Sequence, residues 1–189
     1  MDIEDRVREL GELDVSVLAD AIINQDREAW LEEELRQKSY EVHRDTESMV
    51  LVFTDATAWP ELVVQKMPAW DNLVDIAGPL MHQIIKQSYP PGGTIIRAMA
   101  AKLKAGGKIK PHVDSHPTFH IGHRIHVPIT TNPRVRFTIE GRPFHLQVGQ
   151  AYEVNNQKTH SVANKGDEDR ITFIFDYVPP SELGRQQQH

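Results

Sequence analysis

Two side chains near the middle of the chain, His112 and Asp114, have the types and spacing of neighbouring metal ligands. The sequence around them predicts a strand from Ile109 to Asp114, and alternate side chains of a strand point to the same face. Both side chains would then be directed at one metal ion. The spacing alone is weak evidence, because ten histidines and thirteen aspartates among 189 residues give on the order of one His-x-Asp pair by chance.

Two residues further along the chain supply independent evidence. His160 begins a predicted strand that runs to Ala163, and Arg170 opens another that runs from Ile171 to Val178. In a jelly roll these two strands can lie beside the first one, which would bring a third ligand and a fixed cation to one pocket. Two histidines and one carboxylate on one octahedral face leave three positions open, as in non-heme Fe(II) oxygenases. The joint pattern is much more specific than any part of it.

The composition limits the chemistry further. The chain has no cysteine, which excludes disulfides, cysteine-containing zinc sites, iron–sulfur clusters and a cysteine nucleophile. Residues 1–48 carry 15 acidic and 6 basic side chains, whereas residues 49–189 carry 12 acidic and 15 basic ones. The basic excess is compatible with a small anionic ligand in the second part, and equally with an uneven scatter of solvated charge. The net charge of −6 argues against nucleic acid as a partner.

Residues 92–178 resemble the 2-oxoglutarate and Fe(II)-dependent oxygenases, and within them the aspartyl/asparaginyl β-hydroxylase family, which includes proline 3-hydroxylase-like members. The resemblance rests on Gly92-Gly93, the segment from Gly107 to Asp114, the segment from Arg124 to Ile129, and His160 followed by Arg170. It implies a double-stranded β-helix, Fe(II) bound by His112, Asp114 and His160, and 2-oxoglutarate and O2 as co-substrates.

The resemblance also implies roles for three further residues. Arg170 would bind the distal carboxylate of 2-oxoglutarate, and Arg124 and His126 would contribute to co-substrate binding. The residue types are suitable, because arginine offers a planar, permanently charged fork for a carboxylate. Arg124 and His126 are two apart on a predicted strand and so share a face. Some aspartyl β-hydroxylases lack the carboxylate ligand; the presence of Asp114 here favours three-ligand members and leaves the transfer of substrate open.

The resulting hypothesis is an enzyme that hydroxylates an amino-acid unit and decarboxylates 2-oxoglutarate to succinate. The family indicates an aspartyl or asparaginyl residue of a peptide or protein as the substrate. The compact size and the complete ligand set keep a free amino acid such as proline as an alternative. A cupin-like metal-binding module without oxygenase activity is an alternative of another class, and it gives Arg170 no role.

Each candidate also has an ordinary structural explanation. A local His–Asp hydrogen bond on a surface strand would account for His112 and Asp114, and a solvated strand face would account for Arg124 and His126. For four further residues, a part in the substrate entrance or in binding a substrate carboxylate competes with simple solvation or surface pairing. These residues are His116, His120, His123 and Arg97.

The part of the chain before Tyr89 is predicted to be mainly helical, since its apolar residues recur at helical spacing. The predicted elements are, in order, a helix from Ser16, a helix within Asp26 to Lys38, strands at Met49 to Phe53 and Leu62 to Gln65, and a helix from Leu73 to Ile85. Gly78 and Pro79 interrupt the last helix and would kink it or mark its start.

Beyond the turn at Tyr89 to Gly93, short strands alternate with turn residues. The predicted strands are Thr94 to Leu103, Ile109 to Asp114, Arg124 to Thr130, Val135 to Ile139, Pro143 to Leu146, Ala151 to Val154, His160 to Ala163 and Ile171 to Val178. This pattern predicts a mainly β fold with N-terminal helices, that is, a double-stranded β-helix or jelly-roll, cupin-like barrel. We expect the helices to pack on the outside of one sheet.

The length predicts a single domain over residues 1–189. It would consist of a helical support region with short strands at 1–91, a jelly-roll oxygenase core at 92–178 and a tail at 179–189, whose end from Gln186 to His189 we expect to be disordered. The chain contains no apolar run of membrane-spanning length, and its acidic start lacks the features of a signal peptide. We therefore expect a cytoplasmic enzyme without a membrane partner. Its oligomeric state stays open.

Overall fold

The computed structural model describes residues 1–31 and 45–183. Two sequence predictions lie partly or wholly outside the described residues: the second half of the helix within Asp26 to Lys38, and the tail from Gln186 to His189. In the part that the structure describes, no helix is both long enough and apolar enough to cross a membrane.

The strands form two antiparallel sheets. Along the chain they are β1 (Val7–Glu12), β2 (Thr46–Thr54), β3 (Val64–Lys66), β4 (Thr94–Leu103), β5 (Lys108–His112), β6 (His123–Thr130), β7 (Val135–Ile139), β8 (Arg142–Phe144), β9 (Gln150–Val154), β10 (His160–Asn164) and β11 (Arg170–Val178). The larger sheet has the order β1-β9-β6-β11-β4-β2-β3, and the smaller sheet has the order β5-β10-β7-β8. This arrangement confirms the predicted double-stranded β-helix.

Three helices pack on one face of the larger sheet, as predicted. They are α1 (Ser16–Ile23), α2 (Arg27–Leu31) and α3 (Trp70–Ser88). Two helices of four residues each follow later in the chain, α4 (Thr118–Ile121) and α5 (Pro180–Leu183). The stripe of α3 from Leu73 to Ile85 is buried against α1, β1 and β2. Pro79 lies inside α3 and does not mark its start, because the helix begins nine residues earlier at Trp70.

The central strand β11 separates the hydrophobic core from the interior of the barrel. Its side chains Phe173, Phe175 and Tyr177 are buried in the core between the larger sheet and the helices. Side chains alternate along a strand, so the even-numbered residues of β11 point to the opposite face. These residues are Arg170, Thr172, Ile174 and Asp176.

Three of the differences from the prediction have a local physical reason. The strand β1 was not predicted, because its side chains are at most half-buried; it exists because it pairs with β9 at the edge of the larger sheet. The helix α4 is a single turn, too short to show a periodicity. The strand predicted from Ile109 to Asp114 ends at His112, so Asp114 lies beyond it.

Gly93 lies where β4 begins against the end of β11. Its N–H donates to the Tyr177 hydroxyl at 2.9 Å. A methyl group at this position would overlap the Val178 carbonyl oxygen and lie 2.6 Å from the Tyr177 ring. We expect Gly93→Ala to lower the free energy of unfolding by roughly 3 kcal/mol. Urea unfolding followed by circular dichroism measures this effect.

A matched glycine controls for the substitution itself. Gly78 lies inside α3 with open space where its Cβ would be. Because alanine is the better helix former, Gly78→Ala should raise stability by up to about 1 kcal/mol. A Gly93→Ala protein as stable as the Gly78→Ala protein would contradict the close approach of β4 and β11.

Candidate active site

His112, Asp114 and His160 converge beside the ends of two paired strands. His112 ends β5 and pairs in register with His160, the first residue of β10, so that their ring centroids are 4.3 Å apart. Asp114 is held by its backbone, whose N–H donates to the Asn156 carbonyl oxygen at 3.2 Å. One potential ligand atom from each of the three side chains lies within 4.8 Å of the other two. The structure therefore brings the predicted trio together, with Asp114 placed by a loop contact and not by strand alternation.

Both imidazoles present Nε2 to the cluster. The Nδ1 atom of His112 is 2.8 Å from the Lys110 carbonyl oxygen, and that of His160 is 3.0 Å from the Lys158 carbonyl oxygen. Because a carbonyl oxygen only accepts, each Nδ1 carries the proton and donates it, which leaves the Nε2 lone pair for a metal. Burial also lowers the pKa of His160 and so favours the neutral ring. Two imidazole nitrogens and one carboxylate oxygen are a donor set that fits Fe(II).

The second carboxylate oxygen of Asp114 is occupied by the protein. Arg124 Nη1 donates to Asp114 Oδ2 at 2.6 Å, and Asn156 Nδ2 donates to the same oxygen at 3.2 Å. The other nitrogens of Arg124 donate to Asp176, from Nε at 2.9 Å and from Nη2 at 3.0 Å. Asp176 also accepts from Arg97 Nη1 at 3.1 Å. Acidic and basic groups thus alternate along a chain of four charged side chains that begins at the metal cluster.

The buried members of this chain show the effect of their neighbours. Burial alone would raise the pKa of Asp176, but the guanidinium groups of Arg124 and Arg97 outweigh it and lower that pKa to about 2. Asp176 is therefore a carboxylate at all ordinary pH values. Arg97 is only 3% exposed, so the alternative of a surface pairing for this residue is wrong.

A cavity between the two sheets connects the cluster with the interior of the barrel. Side chains of β4, β6 and β11 line it from the larger sheet, and side chains of β5, β7 and β10 line it from the smaller sheet. Its polar lining includes His112, His160, Arg124, His126 and Arg170. Five of the six residues predicted for the site thus face one cavity, and Asp114 adjoins it through Arg124.

Within the described part of the chain, Arg170 is a buried cation without a counter-charge. Its side chain is 4% exposed, and burial, with no charged neighbour among residues 1–31 and 45–183, lowers its pKa to about 10. It is therefore protonated at neutral pH. The sequence predicted β11 beside the strand of His112, whereas β11 lies between β4 and β6 in the other sheet. Arg170 therefore reaches the cavity from the wall opposite His112, and the predicted position of β11 beside β5 is wrong. The two opposite walls leave room for a ligand between Arg170 and His112.

His126 is the second buried group available to a ligand. It lies on β6 opposite Ile174 of β11. Burial first, and then the positive charges of Arg170 and Arg124, lower the pKa of His126 well below its usual value, so the ring is neutral. Its Nδ1 has no hydrogen-bond partner among the described residues. Buried polar atoms are rarely left unpaired, so this nitrogen is open to a hydrogen bond with a group inside the cavity.

The sequence itself decides the family. Residues 19–180 match the family model of aspartyl/asparaginyl beta-hydroxylases. The chain belongs to this family. It is a 2-oxoglutarate/Fe(II)-dependent oxygenase of the hydroxylase type, and Fe(II), 2-oxoglutarate and O2 are its cofactor and co-substrates. No protein of curated function matches the sequence significantly.

Solved structures share the fold of this hydroxylase. An oxidoreductase of the 2OG-Fe(II) oxygenase family from Burkholderia pseudomallei superposes with a TM-score of 0.57 and 14% identity, over 93% of this chain and 85% of that one. The viral collagen prolyl hydroxylase of Paramecium bursaria Chlorella virus-1, in complex with 2OG, gives 0.54 and 9%, over 93% and 97%. A Pseudomonas putida prolyl-4-hydroxylase gives 0.51 and 10%, over 93% and 94%. At such identities the likeness concerns the fold.

The sequence did not point to three polar residues at the hydroxylase site. Asp176 contacts Arg124, and Asn156 contacts Asp114. The third, Thr172, is fully buried on the same face of β11 as Arg170, and its Oγ1 has no hydrogen-bond partner in the described part of the chain. The signal for Asp176 and Thr172 was present, since both are polar residues that alternate with large aromatic ones in a buried strand.

Three histidines near the ligand strand lie away from the cavity of the hydroxylase. His116 hydrogen-bonds within its own loop and to the Ala56 carbonyl oxygen. His123 pairs with the buried carboxylate of Glu153. His120 is exposed on α4. None of these three side chains lines the cavity, which removes them from the metal and co-substrate site.

Proposed function

We propose that this enzyme hydroxylates an aspartyl or asparaginyl residue of a peptide or protein. Membership of the aspartyl/asparaginyl β-hydroxylase family supports this substrate. In the proposed site, His112, Asp114 and His160 bind Fe(II), and Arg170 binds the distal carboxylate of 2-oxoglutarate. One observation carries the assignment of the co-substrate site: the charge of Arg170, which is buried and has no partner among the described residues, faces the same cavity as the two histidines.

The residues of the cavity suit a small dicarboxylate. Arg170 neutralises one end through its planar fork, and the keto-acid end is left to face the ligand cluster. His126, neutral and with an unpaired Nδ1, donates a hydrogen bond to the co-substrate. Arg124 adds positive charge to the wall while it holds Asp114. Thr172, with its unpaired hydroxyl, is available beside Arg170.

The apolar lining has a separate role. Phe137 and Ile174 contribute to opposite walls of the cavity, and such walls exclude water and strengthen the charge interactions between them. The chemistry that Fe(II) supplies when bound is the activation of O2 coupled to oxidative decarboxylation of 2-oxoglutarate. The products are succinate, CO2 and a hydroxylated substrate.

Succinate formation and product mass test the proposal together. Fe(II)-loaded protein with 2-oxoglutarate and O2 should form succinate slowly by itself and faster with peptides that contain aspartate or asparagine. Those peptides should gain the mass of one oxygen atom, and matched peptides with alanine in their place should not. Hydroxylation of free proline, with all peptides unchanged, would replace the peptide substrate by the free amino acid. The same protein carrying His112→Ala serves as the background for both measurements.

A further inference from the structure

The carboxylate of Asp114 is divided between two tasks. Its Oδ1 lies 3.8 Å from His112 Nε2 and so faces the proposed metal position. Its Oδ2 accepts from Arg124 at 2.6 Å and from Asn156 at 3.2 Å. An oxygen with two donors in place is not free to turn toward a metal. The geometry therefore allows Asp114 to coordinate through one oxygen only.

Arg124 is itself fixed from behind. Two of its nitrogens donate to both oxygens of Asp176, the side-on pairing that sets the plane of a guanidinium group. Asp176 is in turn bound by Arg97, whose Nη2 donates to the Thr118 hydroxyl. The ring of Phe119 covers both cations, with its centroid 4.1 Å from Arg97 Cζ and 4.6 Å from Arg124 Cζ. Every member of the chain is thus held on more than one side.

The two acidic and two basic side chains of this hydrogen-bonded series, from Asp114 to Arg97, together carry no net charge. Burying such groups costs desolvation that their mutual attraction repays only with good geometry, so a buried ionic network contributes little net stability. What the network contributes is a fixed geometry, because each hydrogen bond holds one side chain in a defined position relative to the next. Asp176 lies at the point where this fixation is strongest, since it pairs with both guanidinium groups.

We propose that Asp176 is a positioning residue for the metal: it locks Arg124, and Arg124 keeps Asp114 a ligand through a single oxygen. This inference rests on the proposed ligand set. Asp176 touches none of the three ligands and is absent from the cavity lining. A purely structural role would place its effect on folding, whereas a positioning role places it on metal affinity and coordination geometry.

Metal titration of the full chain separates the two roles. The variant is Asp176→Asn, the probe is Co(II) in competition with a chelating dye, and the visible absorption of bound Co(II) reports its coordination. We expect Co(II) affinity to fall by up to about 10- to 100-fold, the range for residues hydrogen-bonded directly to metal ligands, with an altered spectrum. The matched control is Glu153→Gln, because Glu153 is an equally buried carboxylate, paired with Arg8 at 2.6 Å. It should lower the melting temperature and leave Co(II) affinity unchanged.

The outcomes distinguish this inference from the proposed ligand set. Unchanged Co(II) affinity and spectrum in Asp176→Asn would overturn the positioning role. Unchanged affinity in His112→Ala would instead overturn the ligand set itself. Should Asp176→Asn not fold, Arg124→Lys decides the question, because lysine keeps the charge but cannot bind both carboxylates as a fork. Wild-type affinity and spectrum in that variant would equally reject the proposal.

Discussion

Replacing Arg170 by methionine should weaken 2-oxoglutarate binding strongly and, at the same time, stabilise the ligand-free protein. Removing one partner of a buried charge pair costs about 2 to 5 kcal/mol, so we expect the dissociation constant of 2-oxoglutarate to rise by at least about 30-fold. In the absence of the co-substrate the same guanidinium is a buried charge without a partner among the residues that the structure describes, which is unfavourable. Methionine fills a similar volume without a charge, so the melting temperature should rise by a few degrees.

Calorimetric titration of 2-oxoglutarate into anaerobic Fe(II) protein and thermal unfolding of the ligand-free protein measure the two effects. Arg136→Met, the same exchange at an exposed position of the smaller sheet, should change neither. Arg170→Lys should bind the co-substrate with intermediate affinity, because it keeps the charge without the fork. A lower melting temperature in Arg170→Met, together with unchanged binding, would show that Arg170 is a structural cation.

Loss of any one of the three proposed ligands should remove metal binding and turnover. We expect His112→Ala, Asp114→Ala and His160→Ala each to weaken Fe(II) affinity by at least about 100-fold and to reduce succinate formation to background, because only three protein ligands hold an octahedral ion. Asp114→Ala should also be the least stable of the three, since it leaves Arg124 with an unpaired donor.

An exposed histidine supplies the comparison for these variants. His145→Ala, just beyond β8, removes an imidazole with no place in the cluster and should bind Fe(II) like the wild type. Equilibrium dialysis with metal analysis gives the affinities, and succinate quantification gives the turnover. Near wild-type values for His112→Ala and Asp114→Ala together would reject the ligand set.

The strands could be predicted from the sequence where the pattern of apolar and polar side chains within the strand shows which face is buried. The bounds of β4 and β7 agree with the sequence-based ones, because apolar residues alternate or run continuously between clear turn residues. The strand β1 has no such pattern. It is stabilised by pairing with β9, a strand about 140 residues away in the chain. Such a pairing is a property of the assembled sheet and has no local signal.

The identities of the predicted site residues came from spacing and from the family resemblance, and their arrangement came only from the fold. The sequence could not show that Asp114 lies beyond its strand, since the loop contact to Asn156 places it there. Nor could it show that Arg170 approaches from the opposite sheet, because strand order is set by pairing between distant segments. The chain from Arg124 to Asp176 and Arg97 joins three strands and was therefore not visible in any one of them.

The alternation along β11 means that neighbouring residues of one strand have different roles, either in the hydrophobic core or in the interior of the barrel. Phe173 and Phe175 face the helices, whereas Thr172 and Ile174 face the interior. Exchanges at interior positions alter the reaction space while the contacts that keep the sheet folded stay intact. A substitution of Ile174, which lines the cavity, would therefore change the shape of the reaction space without removing the core contacts of Phe173 and Phe175.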